Sequence, residues 1–414
     1  MMYAAIMGYG TIGSGVAQIL TECKDKIAHS AGQEISLKYV LDLREFPDSP
    51  VGDRIVHDFH VIESDAQIKL VVESMGGLNP AYSFVKACLN AGKHVITSNK
   101  ALVEAHGTEL MQIAKEKKVN FLFEASVGGG IPIIRTMYRC LMGEEIQEIT
   151  GILNGTTNFI LTKMDKEGAA FEDVLKEAQK LGYAEQDPSA DVEGYDTCRK
   201  IAILTAMATG REVHYEDIHT EGITKITDVD FKYARKMGTS IKLLGTARIC
   251  QDKVLAMVAP VMINNSNPLF GVQGVYNGIL VRSRMLGETM YYGSGAGKLP
   301  TASAVVADLI EAVQQDQEPV FAGWTNERQS VEESGKFQYR YFVRMEGDAG
   351  QKKEQIQQIF GNTDTIVLDG ADEFAVLTEK LSEEEFIKRA VYLDGELQKA
   401  GEKGILQMIR AELP

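Results

Sequence analysis

Six residues near the N-terminus, Gly8-Tyr9-Gly10-Thr11-Ile12-Gly13, restrict the fold more than any other feature of the chain. They form G-x-G-x-x-G between an apolar run, Tyr3–Met7, and a stretch of helical spacing, Ile12–Ala28. A strand that turns sharply into a helix opens a dinucleotide-binding βαβ unit. Gly8 permits the tight turn, Gly10 lets a pyrophosphate approach the backbone, and Gly13 lets helix and strand pack closely. Thr11 and Ile12 complete this cofactor-binding set. A second apolar run, Ile35–Leu41, ends at Asp42, where a ribose-binding acid belongs. Asp42 suits the 2′-hydroxyl of NAD. Arg44, two residues on, suits the 2′-phosphate of NADP, and the sequence leaves that choice open.

The alternation continues. Leu70–Glu73, His94–Thr97 and Asn120–Phe123 are predicted strands, and Pro80–Asn90 and Glu109–Lys117 predicted helices. Apolar strands separated by amphipathic helices imply a parallel sheet covered on both faces, a Rossmann-type domain over 1–130. Ser74-Met75-Gly76-Gly77 and Thr97-Ser98-Asn99-Lys100 follow two of these strands, at the sheet end where open α/β folds bind ligands. Ser74 and Lys100 are candidate cofactor contacts, although two ordinary turns with a solvated lysine fit the spacing equally well. Gly128-Gly129-Gly130, then Pro132, mark a junction.

An α+β domain is expected over 131–299. It contains Glu148–Leu153, a turn Asn154-Gly155-Thr156-Thr157, a long helix over Tyr195–Met207, and strands Lys253–Ile263 and Gly278–Ser283. The glycine-rich loop Gly293–Ala302 opens a small-residue helix, Thr301–Val313, expected to pack back on the first domain and complete it over 300–314. Gly297 can approach a cofactor, and the loop also serves as a flexible crossing. Gln314–Lys336, rich in Gln, Glu and Ser, is the predicted linker. Beyond it, Tyr339–Met345, Lys352–Phe360, Thr365–Leu368, Glu373–Thr378, Glu383–Gln398 and Ile405–Ile409 spell βαββαβ, a ferredoxin-like order over 337–414. Three such domains suit 414 residues.

Composition narrows the partners. A net charge of −15 excludes a broad nucleic-acid or anionic-membrane surface and leaves small molecules. The five cysteines are scattered without C-x-x-C or zinc-like spacing, which predicts reduced, buried thiols. The first apolar run lacks a basic leader, and no apolar stretch reaches membrane-spanning length. These features predict the cytoplasm.

The densest chemistry lies in Gly182-Tyr183-Ala184-Glu185-Gln186-Asp187-Pro188, continuing to Asp191, Gly194, Asp196 and Lys200. Asp196 and Lys200 are four apart and share a helix face. Ile201, Ala202, Ile203 and Leu204 follow, so the helix is expected to be buried. A buried lysine is costly unless paired, and burial lowers its pKa. Poised this way it can exchange a proton with an alcohol or carbonyl oxygen. A structural Asp–Lys pair is the competing explanation.

Taken together the chain resembles the homoserine dehydrogenases. The motifs that carry the likeness are GYGTIGSGV, VVESMGG, TSNKALV, EASVGGGIPI, GILNGTTNFIL, LGYAEQDPSADVEGYDTCRK and YYGSGAGKLPTASAVVADL, in order to about Ile310. The resemblance implies reversible hydride transfer between NAD or NADP and the pair homoserine and aspartate semialdehyde, in threonine and methionine biosynthesis. It implies that Lys200 is the proton donor to the carbonyl, with Asp196 as its partner and Lys100 between nicotinamide and substrate. It implies that Glu185 and Asp191 grip the substrate ammonium, with Tyr183 and Thr156 nearby. It also implies a monovalent cation, Na⁺ or K⁺, held by Glu124 and the carbonyls of Val127, Gly129 and Ile131, and a homodimer or larger homo-oligomer.

The sequence departs from the family pattern in places. Gln186 replaces a common proline, and Leu41 stands where many members carry an arginine suited to a 2′-phosphate. The last unit is similar to ACT domains, which in this family can bind an amino acid such as threonine. Its D-x-P-G loop, however, is degraded to Gly347-Asp348-Ala349-Gly350, so a structural or dimerising role stands beside effector binding. Two other readings remain: an oxidoreductase of another amino-acid substrate, and a non-catalytic nucleotide sensor, which has no need of a proton-transfer pair.

Overall fold

The computed structural model describes residues 1–413 other than 317, 322, 400 and 402. Its first sheet is built from β1 (Met2–Met7), β2 (Ile35–Leu41), β3 (Ile55–Val56), β4 (Ile68–Glu73), β5 (His94–Thr97) and β6 (Phe121–Leu122). The order is β3-β2-β1-β4-β5-β6, all parallel, with the direction of winding reversed at β1. Ala4–Met7 are fully buried, as a central strand covered on both faces must be. The helices are α1 (Thr11–Glu22), α2 (Lys24–Ala31), α3 (His60–Ser64), α4 (Ala81–Asn90) and α5 (Lys100–Lys117).

Two predicted helices differ. The one expected over Ile12–Ala28 breaks at Cys23 (φ −107°, ψ 20°), and the break lets α2 pack on β2 and on the last helix of this layer. The one expected over Glu109–Lys117 begins much earlier, at Lys100. There Asn99 accepts the Leu102 N–H and caps it, so the Thr97–Lys100 turn is a helix start. Three of the five cysteines, Cys23, Cys140 and Cys250, are exposed. The expectation of uniformly buried thiols was therefore wrong, because these three lie at element ends.

After α6 (Ile133–Arg135) a second sheet begins. It contains β7 (Ile146–Ile152), β9 (His219–Thr220), β10 (Thr239–Cys250), β11 (Lys253–Asn264), β12 (Tyr276–Ser283) and β13 (Gly287–Ser294); the two-residue β8 (Arg211–Glu212) stands apart from it. The helices α7 (Gly155–Glu167), α8 (Phe171–Lys180), α9 (Ser189–Val192), α10 (Tyr195–Thr209) and α11 (Asp228–Lys236) accompany it. α10 lies between β10 and α5, and its residues Ile201–Leu204 are at most 1% exposed. That explains why four successive positions, which together face every side of the helix, are apolar. α12 (Lys298–Gln314) then returns to the first sheet, with Ala302, Val305 and Leu309 in one core with Ile6, Val16 and Val72.

From Trp324 onward the predicted linker is a structured strap. Trp324 is 3% exposed, its Nε1–H donates to Thr108 Oγ1 at 2.9 Å, and its ring meets Phe123 edge-on. β14 (Thr325–Arg328) pairs with β8, and β15 (Val331–Glu332) pairs with β11. A polar composition concealed one large apolar anchor and two short pairings. The final unit comprises β16 (Gln338–Glu346), α13 (Ala349–Phe360), β17 (Thr363–Val367), β18 (Glu373–Thr378), β19 (Leu381–Ser382), α14 (Glu383–Lys399) and β20 (Ile405–Glu412). Its strand order β20-β16-β18-β17 is ferredoxin-like. β20 also pairs in parallel with β11, through Val261–Arg410, Met262–Ala411 and Ile263–Glu412, so the two sheets are continuous. Arg410 and Arg344 reinforce the seam, Arg410 with Glu221 and Glu383, Arg344 with Asp230 and Glu373. Among the described residues no helix is long and apolar enough to cross a membrane.

Candidate active site

The glycine turn is shaped as its sequence demands. Gly8 has φ +98°, and a Cβ on Gly13 would lie 1.9 Å from the Gly8 oxygen, so neither position accepts a side chain. Ser74, at the end of β4, donates its hydroxyl to the Gly8 oxygen at 2.9 Å and fastens the turn to the sheet. α1 begins at Thr11 with no side-chain cap and no acid in its first turn, so the N–H groups of Thr11, Ile12 and Gly13 point out of the sheet edge. A Cβ on Gly10 would meet no protein atom within 4 Å.

Asp42 follows β2 and accepts the Tyr9 N–H at 2.8 Å. Arg44 closes on it with two bonds of 3.0 Å and lies over the Phe46 ring. The Arg44 guanidinium holds the Asp42 carboxyl well below the usual carboxylate range. Both candidates for reading the ribose are thus one paired unit.

The second centre lies where α10 faces the carboxyl ends of β5 and β7. Asp196 sits in the first turn of α10, where the helix dipole favours an acid. One of its oxygens is 2.7 Å from Lys200 Nζ and the other 2.7 Å from Lys100 Nζ. The Asp196 side chain is 5% exposed, Lys200 10% and Lys100 39%, so Lys100 forms the open side of the group. Lys200 also donates to the Leu153 carbonyl at 2.7 Å. Among the described residues these two bonds occupy two of its three N–H groups, which leaves the third for a ligand.

Burial opposes the charge on Asp196, yet Lys200 and Lys100 together hold its carboxyl well below the usual range. Burial, and then the nearby Lys100 cation, push Lys200 below the ordinary lysine value. The Asp196 charge raises Lys100. A lysine kept cationic yet made more acidic than normal suits proton exchange near neutrality.

Asn154, within the GILNGTTNFIL motif, belongs to this centre. It caps α7 through its oxygen, and its amide donates to Asp191 at 2.7 Å and to Asp196 at 2.8 Å. Burial and the Asp196 charge raise the Asp191 carboxyl, and the Asn154 bond opposes them. Thr156 is buried and bonds the Tyr183 carbonyl at 2.7 Å, while the Tyr183 ring is exposed and meets Phe159 edge-on. Glu185 is exposed on the same loop, and among the described residues no hydrogen bond or ion pair joins its carboxylate to Lys200, Lys100 or Asp191. The only signal for Asn154 was its place at a helix start, a cap preference that says nothing of the acids it reaches.

Gly297, φ +116°, lies at the start of α12. Glu124 is buried, and its two oxygens accept the N–H groups of Ile134 and Arg135 at 2.9 and 2.7 Å. Ile133 N–H reaches the Ile131 carbonyl at 2.9 Å.

Two sequence profiles match the chain: "Homoserine dehydrogenase, NAD binding domain" over residues 8–124 and "Homoserine dehydrogenase" over 132–310. The homoserine dehydrogenase of Bacillus subtilis is 41% identical over 75% of this chain and 72% of its own length. The chain belongs to the homoserine dehydrogenase family. The Synechocystis homoserine dehydrogenase is 44% identical over 74% of this chain and 72% of its own. Among solved structures, a homoserine dehydrogenase from Thiobacillus denitrificans superposes with TM-score 0.91 at 34% identity, over 99% of this chain and 98% of that one. A hyperthermophilic archaeal homoserine dehydrogenase, solved in complex with NADPH, gives TM-score 0.64 at 28% identity over 76% of this chain and 98% of its own. As a member of this family the chain is an oxidoreductase with an NAD(P)-binding domain, acting as a homoserine dehydrogenase.

Proposed function

We propose that Lys200 is the group that gives a proton to the aldehyde oxygen of aspartate semialdehyde during reduction and takes it back from homoserine during oxidation. The observation that carries this assignment is the Lys200 ammonium held between the Leu153 carbonyl and Asp196 with one N–H unspent. A bound nicotinamide supplies or accepts the hydride. As negative charge grows on the carbonyl oxygen, Lys200 neutralises it, and the dry surroundings strengthen that interaction. Asp196 keeps Lys200 charged and aimed. Lys100, on the open side, orients the carbonyl. With Asp191 ionised, two acids balance two lysines, so the group carries no net charge before substrate enters.

Asp191 binds the substrate ammonium, with Glu185 closing from its loop and Tyr183 and Thr156 shaping the wall. Gly8, Gly10, Thr11, Ile12 and Gly13 receive the pyrophosphate, supported by the uncapped α1 and the open space over Gly10. Ser74 and Gly297 flank it, and the Asp42–Arg44 pair meets the adenosine ribose of NAD or the 2′-phosphate of NADP. A monovalent cation at Glu124 and the carbonyls of Val127, Gly129 and Ile131 is supported by the donor set, a buried carboxylate and neutral carbonyls, all hard oxygen ligands. Such an ion would brace the turn between the first two domains.

Domain limits near 130 and 299 are supported by the change from the first sheet to the second and by the return of α12, and the limit near 337 by the βαββαβ order that follows within the shared sheet. An ACT-like role for the last unit is supported by its strand order. Asp348 is committed to capping α13, so the degraded loop favours a structural role over threonine binding. Self-association is supported by the exposed Met285, Leu286, Met290 and Tyr292 on the β12–β13 hairpin. The test of the central assignment is Lys200→Ala: turnover of homoserine should vanish while the cofactor dissociation constant changes little. Normal turnover in a folded variant refutes it.

A further inference from the structure

We infer that Asn154 is a positioning residue for the reaction: its amide holds Asp191 and Asp196 side by side and keeps Asp191 ionised to receive the substrate ammonium. This rests on the ammonium-binding role proposed for Asp191. Every polar atom of the Asn154 side chain is used. Its two N–H bonds go to Asp191 Oδ1 and Asp196 Oδ2, and its oxygen accepts the Thr157 N–H at 2.8 Å. The amide cannot be turned over, because that would set an oxygen against two carboxylates and an NH₂ against an N–H. Asn154 is 5% exposed, so water does not substitute freely for it.

The main charges acting on Asp191 are Asp196 and Lys200 from α10 and Lys100 from α5, while Asn154, just before α7, is neutral. The segment packed under Val192–Gly194 brings Glu221, which Arg410 neutralises. Asp196 is secured by two lysines and scarcely needs the amide. Asp191 accepts its only protein side-chain bond from Asn154, and its Oδ2 accepts none among the described residues, which leaves that oxygen for an ammonium. Leu153, the preceding residue, gives its carbonyl to Lys200. One turn of chain before α7 therefore aligns both the proton donor and the ammonium site.

The experiment follows semialdehyde reduction with NADPH across pH, where an acid limb reports carboxylates and an alkaline limb reports lysine. Asn154→Ser keeps an acceptor for the Thr157 N–H and removes both donors. Loss of a hydrogen bond to a carboxylate raises its pKa. The acid limb of kcat/KM should move up by about one unit, a loss of about tenfold at its foot, carried in KM and closing as pH rises. The alkaline limb should stay in place. Asn154→Asp, which keeps size and cap but adds a third acid, should move the acid limb further and serves if the serine variant misfolds. An equal loss at every pH, or an unmoved acid limb, overturns the inference. Asp191→Asn, run in parallel, separates the two claims. A raised KM there with an unmoved limb in the Asn154 variants removes the Asn154 role alone, whereas an unchanged KM removes the Asp191 assignment beneath it.

Discussion

Replacing Asp196 with asparagine tests the electrostatic design most directly. The side chain keeps its shape, and the only charge between two lysines disappears. Each ammonium lies 2.7 Å from its carboxylate oxygen, so the charge centres are separated by roughly 4 Å. At an effective dielectric near 20 such a pair is worth about 4 kcal/mol. That converts to nearly three pKa units, of which relaxation and solvent entering beside the half-open Lys100 leave roughly two. Lys200 already lies below the ordinary lysine value, so the change carries it toward neutrality. The sign is fixed: a lysine with lowered pKa is cationic only on the acid side. The alkaline limb for semialdehyde reduction should therefore move down by about two units, with a loss approaching about a hundredfold at pH values above both limbs and little loss below them. Breaking a buried pair also costs about 3–5 kcal/mol of stability, so the assay needs a thermal melt as a control for folding. A folded Asp196→Asn enzyme whose alkaline limb stays in place would refute the account of how Lys200 is tuned.

Two further outcomes concern stability. Trp324→Ala should cost about 3–5 kcal/mol in urea unfolding, through the lost core contacts and the lost Thr108 bond, and a cost under about 1 kcal/mol would show that the strap carries little load. Burial, with the Glu216 charge adding to it, pushes the Glu104 carboxyl up to about 7. The folded chain thus holds that proton more tightly than the unfolded one, and the stability it confers is full below about pH 4.5 and lost as pH rises through 7. Glu104→Gln should leave Tm nearly unchanged at pH 5 and raise it at pH 8, and a Tm difference that does not grow with pH would count against the shift.

Local rules carried far. The turn at Gly8–Gly13 was legible because a sharp strand-to-helix bend and close packing leave no room for other residues. The Asp196–Lys200 pair was legible because helical period alone puts both on one face. What escaped was set by tertiary approach. Lys100 reaches Asp196 only because α5 and α10 pack together, and no local pattern encodes that. Asn154 looked like an ordinary cap. The break at Cys23 leaves Leu20 and Ile27 a helical repeat apart, so periodicity could not reveal it. Trp324 was hidden because polar neighbours outweighed one large anchor.

The pairing of β20 with β11 has an architectural consequence. Met257 and Ala259 on β11 share a core with Phe337, Tyr339 and Tyr341. Excising residues 337–413 would leave Met257 and Ala259 bare and free the backbone of Val261–Ile263 to recruit a strand from another molecule. The terminal segment is therefore no interchangeable cassette: a lineage that discards it must redesign the rim it covered, and one that retains it has tied the solubility of the whole enzyme to its last strand.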